Sequence, residues 1–148
     1  MGEIIVNVAL ENFVDRALCE RGDLPETAVR ARTVRALVDT GAVMVMLPQD
    51  LVEALGLKSR RSIIVAYADE RREERPVAGA LLLRIGDREM IGECVVGPPT
   101  SEPLIGQIVL EELDLLADCQ RGELLPRPES PIYPLLRLKR EETEGGDR

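Results

Sequence analysis

The 148-residue sequence contains no histidine, and this absence removes several classes of enzyme. Without an imidazole, the chain cannot supply Ser-His or Cys-His catalysis. It also cannot supply a histidine-ligated metal site. Its three cysteines, Cys19, Cys94 and Cys119, form no close-spaced metal motif, and their odd number fits reduced thiols. Carboxylates therefore remain as the acid–base groups, and we expect neither a metal nor another cofactor.

Aromatic residues, basic charge and long apolar runs are also scarce. Aromatic side chains make up only 2% of the chain, so Val, Leu, Ile and Ala must form most of the core. The formal net charge of −8 argues against nucleic acid as a partner, because phosphate binding needs a basic face. No apolar run approaches the length of a membrane span, and Met1 to Asn7 lacks the features of a signal peptide. We therefore expect a cytoplasmic protein without a membrane partner.

Short apolar stretches separated by turn residues run through most of the chain, and its length is that of one domain. This pattern predicts an all-β, closed, barrel-like domain with one or two short helices. Residues 11–26 are mixed and polar and show only a turn near Gly22. We place the domain at residues 1–125 and a proline-rich, then charged, loosely ordered tail at residues 126–148. The predicted strands cover residues 4–10, 27–38, 43–47, 62–68, 75–85, 90–96, 104–105, 115–119 and 123–125, and the predicted helices residues 48–55 and 107–113.

The most informative stretch is Val34 to Val43, in which an apolar, β-branched run leads into Asp39-Thr40-Gly41-Ala42. The apolar residues suit a buried strand. Thr40 can hydrogen-bond locally, and Gly41 allows a tight turn close to other backbone. This arrangement predicts a loop that holds the Asp39 carboxylate at the edge of the core, in reach of backbone N–H donors.

Two further motifs follow in order: a short helix pattern closed by glycine over Leu47 to Leu57, and the apolar-Gly stretch Pro103 to Gly106. Together with the Asp-Thr-Gly loop, they resemble the retropepsin-like aspartic proteases, particularly their single-domain bacterial relatives. The resemblance covers roughly Ile4 to Leu125. It implies the closed barrel of the acid proteases, which agrees with the fold predicted from the pattern.

Hydrolysis of a peptide bond by carboxylates needs two of them, one ionised to activate water and one protonated to bind the scissile carbonyl. Two carboxylates about 3 Å apart share one proton. This chain has a single Asp-Thr-Gly motif, so the resemblance implies a homodimer that pairs two copies of Asp39 across its axis. It further implies that Thr40 locks the two loops together, that Gly41 lets backbone approach the carboxylate, and that Ala42 lines the cleft. Leu104-Ile105-Gly106 would pack beneath the loop in a structural role.

The same family places a β-hairpin flap over the cleft, and the corresponding segment here is Ile63 to Gly79. The resemblance implies that Ala68, Asp69, Glu70 and Arg71 bind substrate at its tip. Glu70 departs from the family pattern, because bacterial relatives often have glycine after Ala-Asp. The charged tip therefore bears on flap geometry and substrate preference.

The resulting hypothesis is a homodimeric aspartic endopeptidase that acts on peptide or protein substrates and uses no cofactor. One alternative is a non-catalytic module of the same fold, used for peptide binding or dimerisation, since fold does not fix function. Another is an unrelated β-rich domain in which Asp39-Thr40-Gly41 is an ordinary turn.

Overall fold

The computed structural model describes residues 2–138, which form a strand-rich domain with short helices. The all-β, barrel-like prediction is confirmed. The three α-helices are α1 (Phe13–Arg21), α2 (Gln49–Ala54) and α3 (Gln107–Leu113), and a 3-10 turn spans Glu26–Ala28. The strands are β1 (Ile5–Asn12), β2 (Ala31–Val38), β3 (Val45–Pro48), β4 (Lys58–Ala66), β5 (Arg72–Ile85), β6 (Arg88–Gly97), β7 (Leu104–Ile105), β8 (Leu115–Asp118) and β9 (Glu123–Pro126). No helix in this part of the chain is long and apolar enough to cross a membrane.

Six strands close into a ring in the order β1-β2-β7-β3-β6-β5, because β5 pairs back onto β1. Most neighbours are antiparallel, whereas β2–β7 and β3–β6 are parallel. Strands β8 and β9 form a separate hairpin. Closure leaves no free edge within the ring, which removes the usual template for edge-to-edge association.

Strand β5 is long enough to belong to two structures. Its second half pairs with β1 and β6 in the ring, whereas Arg72 to Gly79 pairs with β4, and of these residues only Val77 and Ala78 also pair with β6 in the described structure. The β4–β5 hairpin therefore extends from the barrel as an arm. This arm contains the predicted flap segment.

The core is aliphatic, as the low aromatic content requires. Alternating residues of β1, such as Val8 and Leu10, point inward and are at most 1% exposed. Helix α3 adds Val109 and Leu113 to the same cluster, and α2 is followed by the fully buried Leu55. The helices thus close the barrel core and fix the loops that lead into them.

Helix α1 was not predicted from the sequence. Its one buried residue is Asp15, so it lacks the apolar stripe that identifies an amphipathic helix. It is stabilised instead by its ends and by charge. Asn12 accepts a hydrogen bond from the Asp15 N–H at 3.0 Å, Gly22 caps the C-terminus in a left-handed conformation, and Arg30 binds the Asp15 carboxylate at 2.8 and 3.1 Å.

The first part of the C-terminal segment contacts the barrel. The buried Arg88 side chain donates hydrogen bonds to three backbone carbonyls, those of Leu113 (2.8 Å), Asp114 (3.0 Å) and Ser130 (2.6 Å). The Asp114 carboxylate accepts the Ser130 hydroxyl and the Leu135 N–H. These hydrogen bonds hold the pKa of Asp114 below its usual range, the Ser130 hydroxyl having the largest effect. The division at residue 125 stays a prediction, and residues 139–148 of the predicted loose tail lie outside the described residues.

Candidate active site

The Asp39 loop begins where β2 ends, and its position is set by the parallel pairing of β2 with β7. Leu37 lies opposite Leu104 and Val38 opposite Ile105. The same ladder continues one step further, because the Asp39 N–H donates to the Ile105 carbonyl at 2.9 Å. The backbone of Asp39 is therefore held by the sheet, and only its side chain projects into the loop.

Within the loop, the carboxylate of Asp39 accepts a hydrogen bond from the Gly41 N–H at 3.0 Å. The Asp39 carbonyl accepts from the Ala42 N–H at 3.1 Å, which closes a tight turn. Asp39 is half-buried, whereas Thr40 and Gly41 are exposed. The turn thus holds the carboxylate at the edge of the core, with the tip of the loop facing outward.

Gly106 supports the loop from beneath. A Cβ at this position would lie 2.6 Å from the Met44 carbonyl oxygen and 2.7 Å from the Val43 carbonyl carbon and oxygen. The residues after Gly106 continue the contact, because the N–H of Gln107 donates to Ala42 (2.8 Å) and that of Ile108 to Val43 (2.9 Å). The start of α3 and the Asp39 loop therefore form one packed unit that has room only for glycine at position 106.

The tip of the β4–β5 arm is a tight hairpin turn over Tyr67 to Arg71. The Tyr67 N–H donates to the Arg71 carbonyl, and the Glu70 N–H donates to the Tyr67 carbonyl, both at 2.8 Å. Glu70 has a φ of 69°, the left-handed value found at the last loop position of three-residue hairpins. The tip therefore adopts the geometry that glycine favours, although glutamate occupies the position.

A cleft of about 670 Å³ separates this arm from the Asp39 loop. Its walls are largely aliphatic, and Asp39 is the one carboxylate among the described residues that line it. A carboxylate facing an apolar cleft beneath a hairpin can act on an extended chain of apolar side chains. The lining residues are Asp39, Gly41, Ala42, Val43, Met44, Met46, Ile63, Ile64, Val65, Ala66, Tyr67, Ala68, Val95 and Leu104.

A protein-family model described as aspartyl protease matches residues 26–109, which is more than half of the chain. The match includes the Asp39 loop, the β4–β5 arm and the Leu104 to Gly106 stretch. The chain belongs to the retropepsin-like aspartyl protease family. No curated protein matches the sequence.

In this member of the aspartyl protease family, the residues singled out from the sequence fall into three places. Asp39, Gly41, Ala42, Ala68 and Leu104 line the cleft, and Thr40 lies exposed beside them. Ile105 and Gly106 are buried, and their backbone contacts support the Asp39 loop. Asp69, Glu70 and Arg71 form the arm's exposed tip and do not line the cleft.

Sequence reasoning missed several lining residues. Residues 43–47 were expected to form one continuous buried strand, but β3 begins at Val45 and Val43 is 69% exposed. Met44 and Met46 are half-buried and line the cleft instead of filling the core. The turn at Gly41 was the only signal in the sequence that β3 begins after residue 43, because a chain leaving such a turn needs several residues to rejoin the sheet.

Tyr67 is another lining residue that the sequence analysis did not single out, and its side chain makes two polar contacts within the arm. Its hydroxyl donates to Glu73 Oε1 at 2.9 Å, and the guanidinium carbon of Arg71 lies 4.4 Å from the centre of its ring. Arg75 donates to the same Glu73 oxygen at 3.0 and 3.2 Å. The Tyr67 hydroxyl, followed by the arginines, holds the pKa of Glu73 below its usual range, against the opposing effect of partial burial.

Among residues 2–138, no group of three or more Cys, Asp or Glu side chains is arranged to hold a metal ion.

Proposed function

We propose that the protein is an aspartic endopeptidase, in which two Asp39 carboxylates from two copies of the chain activate a water molecule between them. The observation that carries this proposal is the Asp39 loop itself, which is held by Ile105 and Gly106 at the edge of an apolar cleft. Membership of the aspartyl protease family supports it. The number of carboxylates then determines the assembly, since the cleft supplies one and the chemistry needs two.

In the proposed reaction, the ionised Asp39 removes a proton from water as the water oxygen attacks the scissile carbonyl carbon. The protonated Asp39 of the second copy gives its proton to the carbonyl oxygen, so charge does not accumulate on the intermediate. When this gem-diol intermediate collapses, the C–N bond breaks and the proton held by the first carboxylate passes to the leaving nitrogen, while one hydroxyl of the gem-diol returns its proton to the second carboxylate as the C=O bond re-forms. The pair again holds one proton at the end of the cycle.

The loop and the arm receive roles that fit their exposure. Thr40 is exposed beside Asp39, so its hydroxyl is free to meet the second copy across the axis. The arm would act as a flap over an extended peptide, with backbone groups pairing to the substrate as an added strand. Closure of the flap would exclude water from the cleft. Ala68, Asp69, Glu70 and Arg71 would contact the substrate as the flap closes. The cytoplasmic location of the protein stays a prediction.

The first test compares Asp39→Asn with wild type on an unfolded protein substrate such as casein at mildly acidic pH. The substitution is nearly isosteric, so we expect an intact fold by circular dichroism and complete loss of cleavage. Asp87→Asn is the matched control, because Asp87 is an exposed carboxylate in the β5–β6 turn. Cleavage by Asp39→Asn at the wild-type rate would refute the mechanism.

The second test concerns the dimer. Wild type is mixed with a ninefold excess of Asp39→Asn, which leaves each wild-type subunit with about a one-in-ten chance of a competent partner. Activity per wild-type subunit should therefore fall to about a tenth, and it should also fall on dilution as ultracentrifugation detects monomer. Full activity in a monomer would refute the shared pair. The alternative, a non-catalytic peptide-binding or dimerisation module, predicts assembly or peptide binding without cleavage.

A further inference from the structure

The cleft has a single aromatic residue among its described lining residues, and its ring is held unusually firmly. Tyr67 lies at the point where β4 passes into the tip of the arm. Two small residues, Ala66 and Ala68, flank it and also line the cleft. The ring is therefore the largest side chain that the tip of the arm offers to a bound molecule.

Three separate contacts fix this ring. At its far end, the hydroxyl donates to Glu73 Oε1 at 2.9 Å, and Arg75 donates to the same oxygen at 3.0 Å. On its face, the guanidinium of Arg71 lies 4.4 Å from the ring centre. At its base, the Tyr67 N–H and carbonyl both belong to the hairpin turn. Rotation of the ring away from the cleft would break the hydroxyl bond and the cation–π contact together.

Such a fixed ring has a physical consequence for binding. A side chain already confined to one rotamer loses little entropy when a ligand packs against it, so its contact contributes more fully to affinity. The Arg71 guanidinium lies against the ring but does not line the cleft. The surface presented to the ligand is thus rigid and apolar, although the tip is highly charged.

We propose that Tyr67 is a positioning residue of the flap, held by Glu73 and Arg71 so that its ring seats an aliphatic side chain of an extended peptide in the cleft. This assignment rests on the proposed function, since it names the part of the same cleft that selects the substrate. The small flanking residues Ala66 and Ala68 leave room beside the ring for a large aliphatic side chain. Within the cleft, the Tyr67 ring forms the surface against the peptide, and the charged side chains of the tip hold this ring from outside the cleft.

The test uses three variants and one matched control. Tyr67→Phe keeps the ring and removes the hydroxyl. Glu73→Gln removes the charge of the carboxylate that accepts the hydroxyl's hydrogen bond, and Tyr67→Ala removes the ring itself. The control is Tyr133→Phe, which makes the same chemical change at a tyrosine that is 79% exposed. Substrates are the peptides that wild type cleaves in a peptide library. We expect KM to rise about threefold to tenfold in Tyr67→Phe and Glu73→Gln with kcat nearly unchanged, and a larger loss of kcat/KM in Tyr67→Ala, mainly for aliphatic substrates.

A spectroscopic measurement reports on the ring without depending on activity. The chain has no tryptophan and two tyrosines, so Tyr133→Phe leaves Tyr67 as the sole tyrosine emitter. A carboxylate that accepts the phenol proton quenches this emission, and we expect Glu73→Gln in that background to increase it. Equal emission with and without Glu73→Gln, or equal KM values in all variants and wild type, would overturn the assignment.

The role of Tyr67 can also be tested if the protein proves not to be a peptidase. If wild type cleaves nothing, the library is applied to immobilised Asp39→Asn protein, and the retained peptides are measured against Asp39→Asn carrying Tyr67→Phe or Tyr67→Ala. Binding that these changes weaken keeps the role of Tyr67 while the catalytic proposal fails. Retention of no peptide, or equal binding by all the variants, contradicts the role of Tyr67 itself.

Discussion

Replacing Gly106 with alanine tests whether the start of α3 sets the position of the Asp39 loop. The backbone of Gly106 has φ −97° and ψ −175°, which any residue adopts, so the substitution introduces no torsional strain. The cost comes from contact, because the new Cβ would lie 2.6 to 2.7 Å from backbone atoms of Val43 and Met44. Backbone cannot rotate away as a side chain does, and the loop and the helix must therefore move apart.

The size of the effect follows from three contributions. Overpacking of this kind costs about 1 to 3 kcal/mol. Separation also weakens the two hydrogen bonds from Gln107 and Ile108 to the loop, at about 1 kcal/mol each. Loss of glycine from the unfolded chain returns about 0.4 to 1 kcal/mol. The net destabilisation is about 3 kcal/mol, which corresponds to a fall in Tm of about 6 to 12 °C for a chain of this size.

Catalysis should suffer more than stability, because a displacement of the reacting group by about 1 Å can lower the rate about 100-fold. The measurements are thermal unfolding by circular dichroism and peptide cleavage at a temperature where the variant is fully folded. Gly92→Ala is the control, since a Cβ there would meet only the flexible end of Met90 at 3.3 Å. If Gly106→Ala matched this control in both Tm and activity, the loop would not depend on close packing with α3.

Three further predictions concern other features of the structure. The folded-state pKa of Glu73 is lowered, so its contribution to stability is present above the ordinary value of 4.5 and is lost as pH falls through the folded pKa. Protonation removes the charged acceptor of the Tyr67 hydroxyl, and Tyr67 emission should therefore rise only below pH 4.5. A rise in emission above that pH would contradict the lowered pKa. Glu70→Gly should relieve a left-handed residue and protect the tip in hydrogen exchange, with a gain of no more than about 1 kcal/mol, and a less protected tip would argue against this turn. Arg88→Met should lower the free energy of unfolding by about 2 to 4 kcal/mol in urea titrations, because it leaves three carbonyls without their donor, whereas Arg60→Met, at an exposed site on β4, should change it little.

The sequence predicted those parts of the fold that depend on local pattern. The two-residue strand β7, helix α3 and the turn at Gly86 follow from apolar runs and glycine, and all three are present. Helix α1 could not be predicted in the same way, because its stability depends on Arg30, which is distant in sequence from its partner Asp15. A stretch of polar and charged residues in the sequence does not distinguish a charged helix from a charged loop.

For the candidate site, the sequence identified the loop but not its walls. Asp39 and Gly41 carry a recognisable motif, and both line the cleft. Tyr67 carries no such mark, since its position depends on the turn that Glu70 completes and on the pairing of β4 with β5. A residue that acts through the register of two strands becomes visible only when that register is known.

The closure of the barrel also has a consequence for synthesis on the ribosome. Strand β1 must pair with β5, where Ala9 lies opposite Arg84, and β7 at Leu104–Ile105 must enter between β2 and β3. The ring is therefore incomplete until the chain has been translated past Ile105. At ordinary rates of elongation, β1 keeps one edge unpaired for roughly 4 to 15 s after it emerges, the time needed to translate β5 as far as Ile85. During that interval the nascent chain exposes the aliphatic strand that closes the finished barrel, and this is when a chaperone would have most effect on its yield.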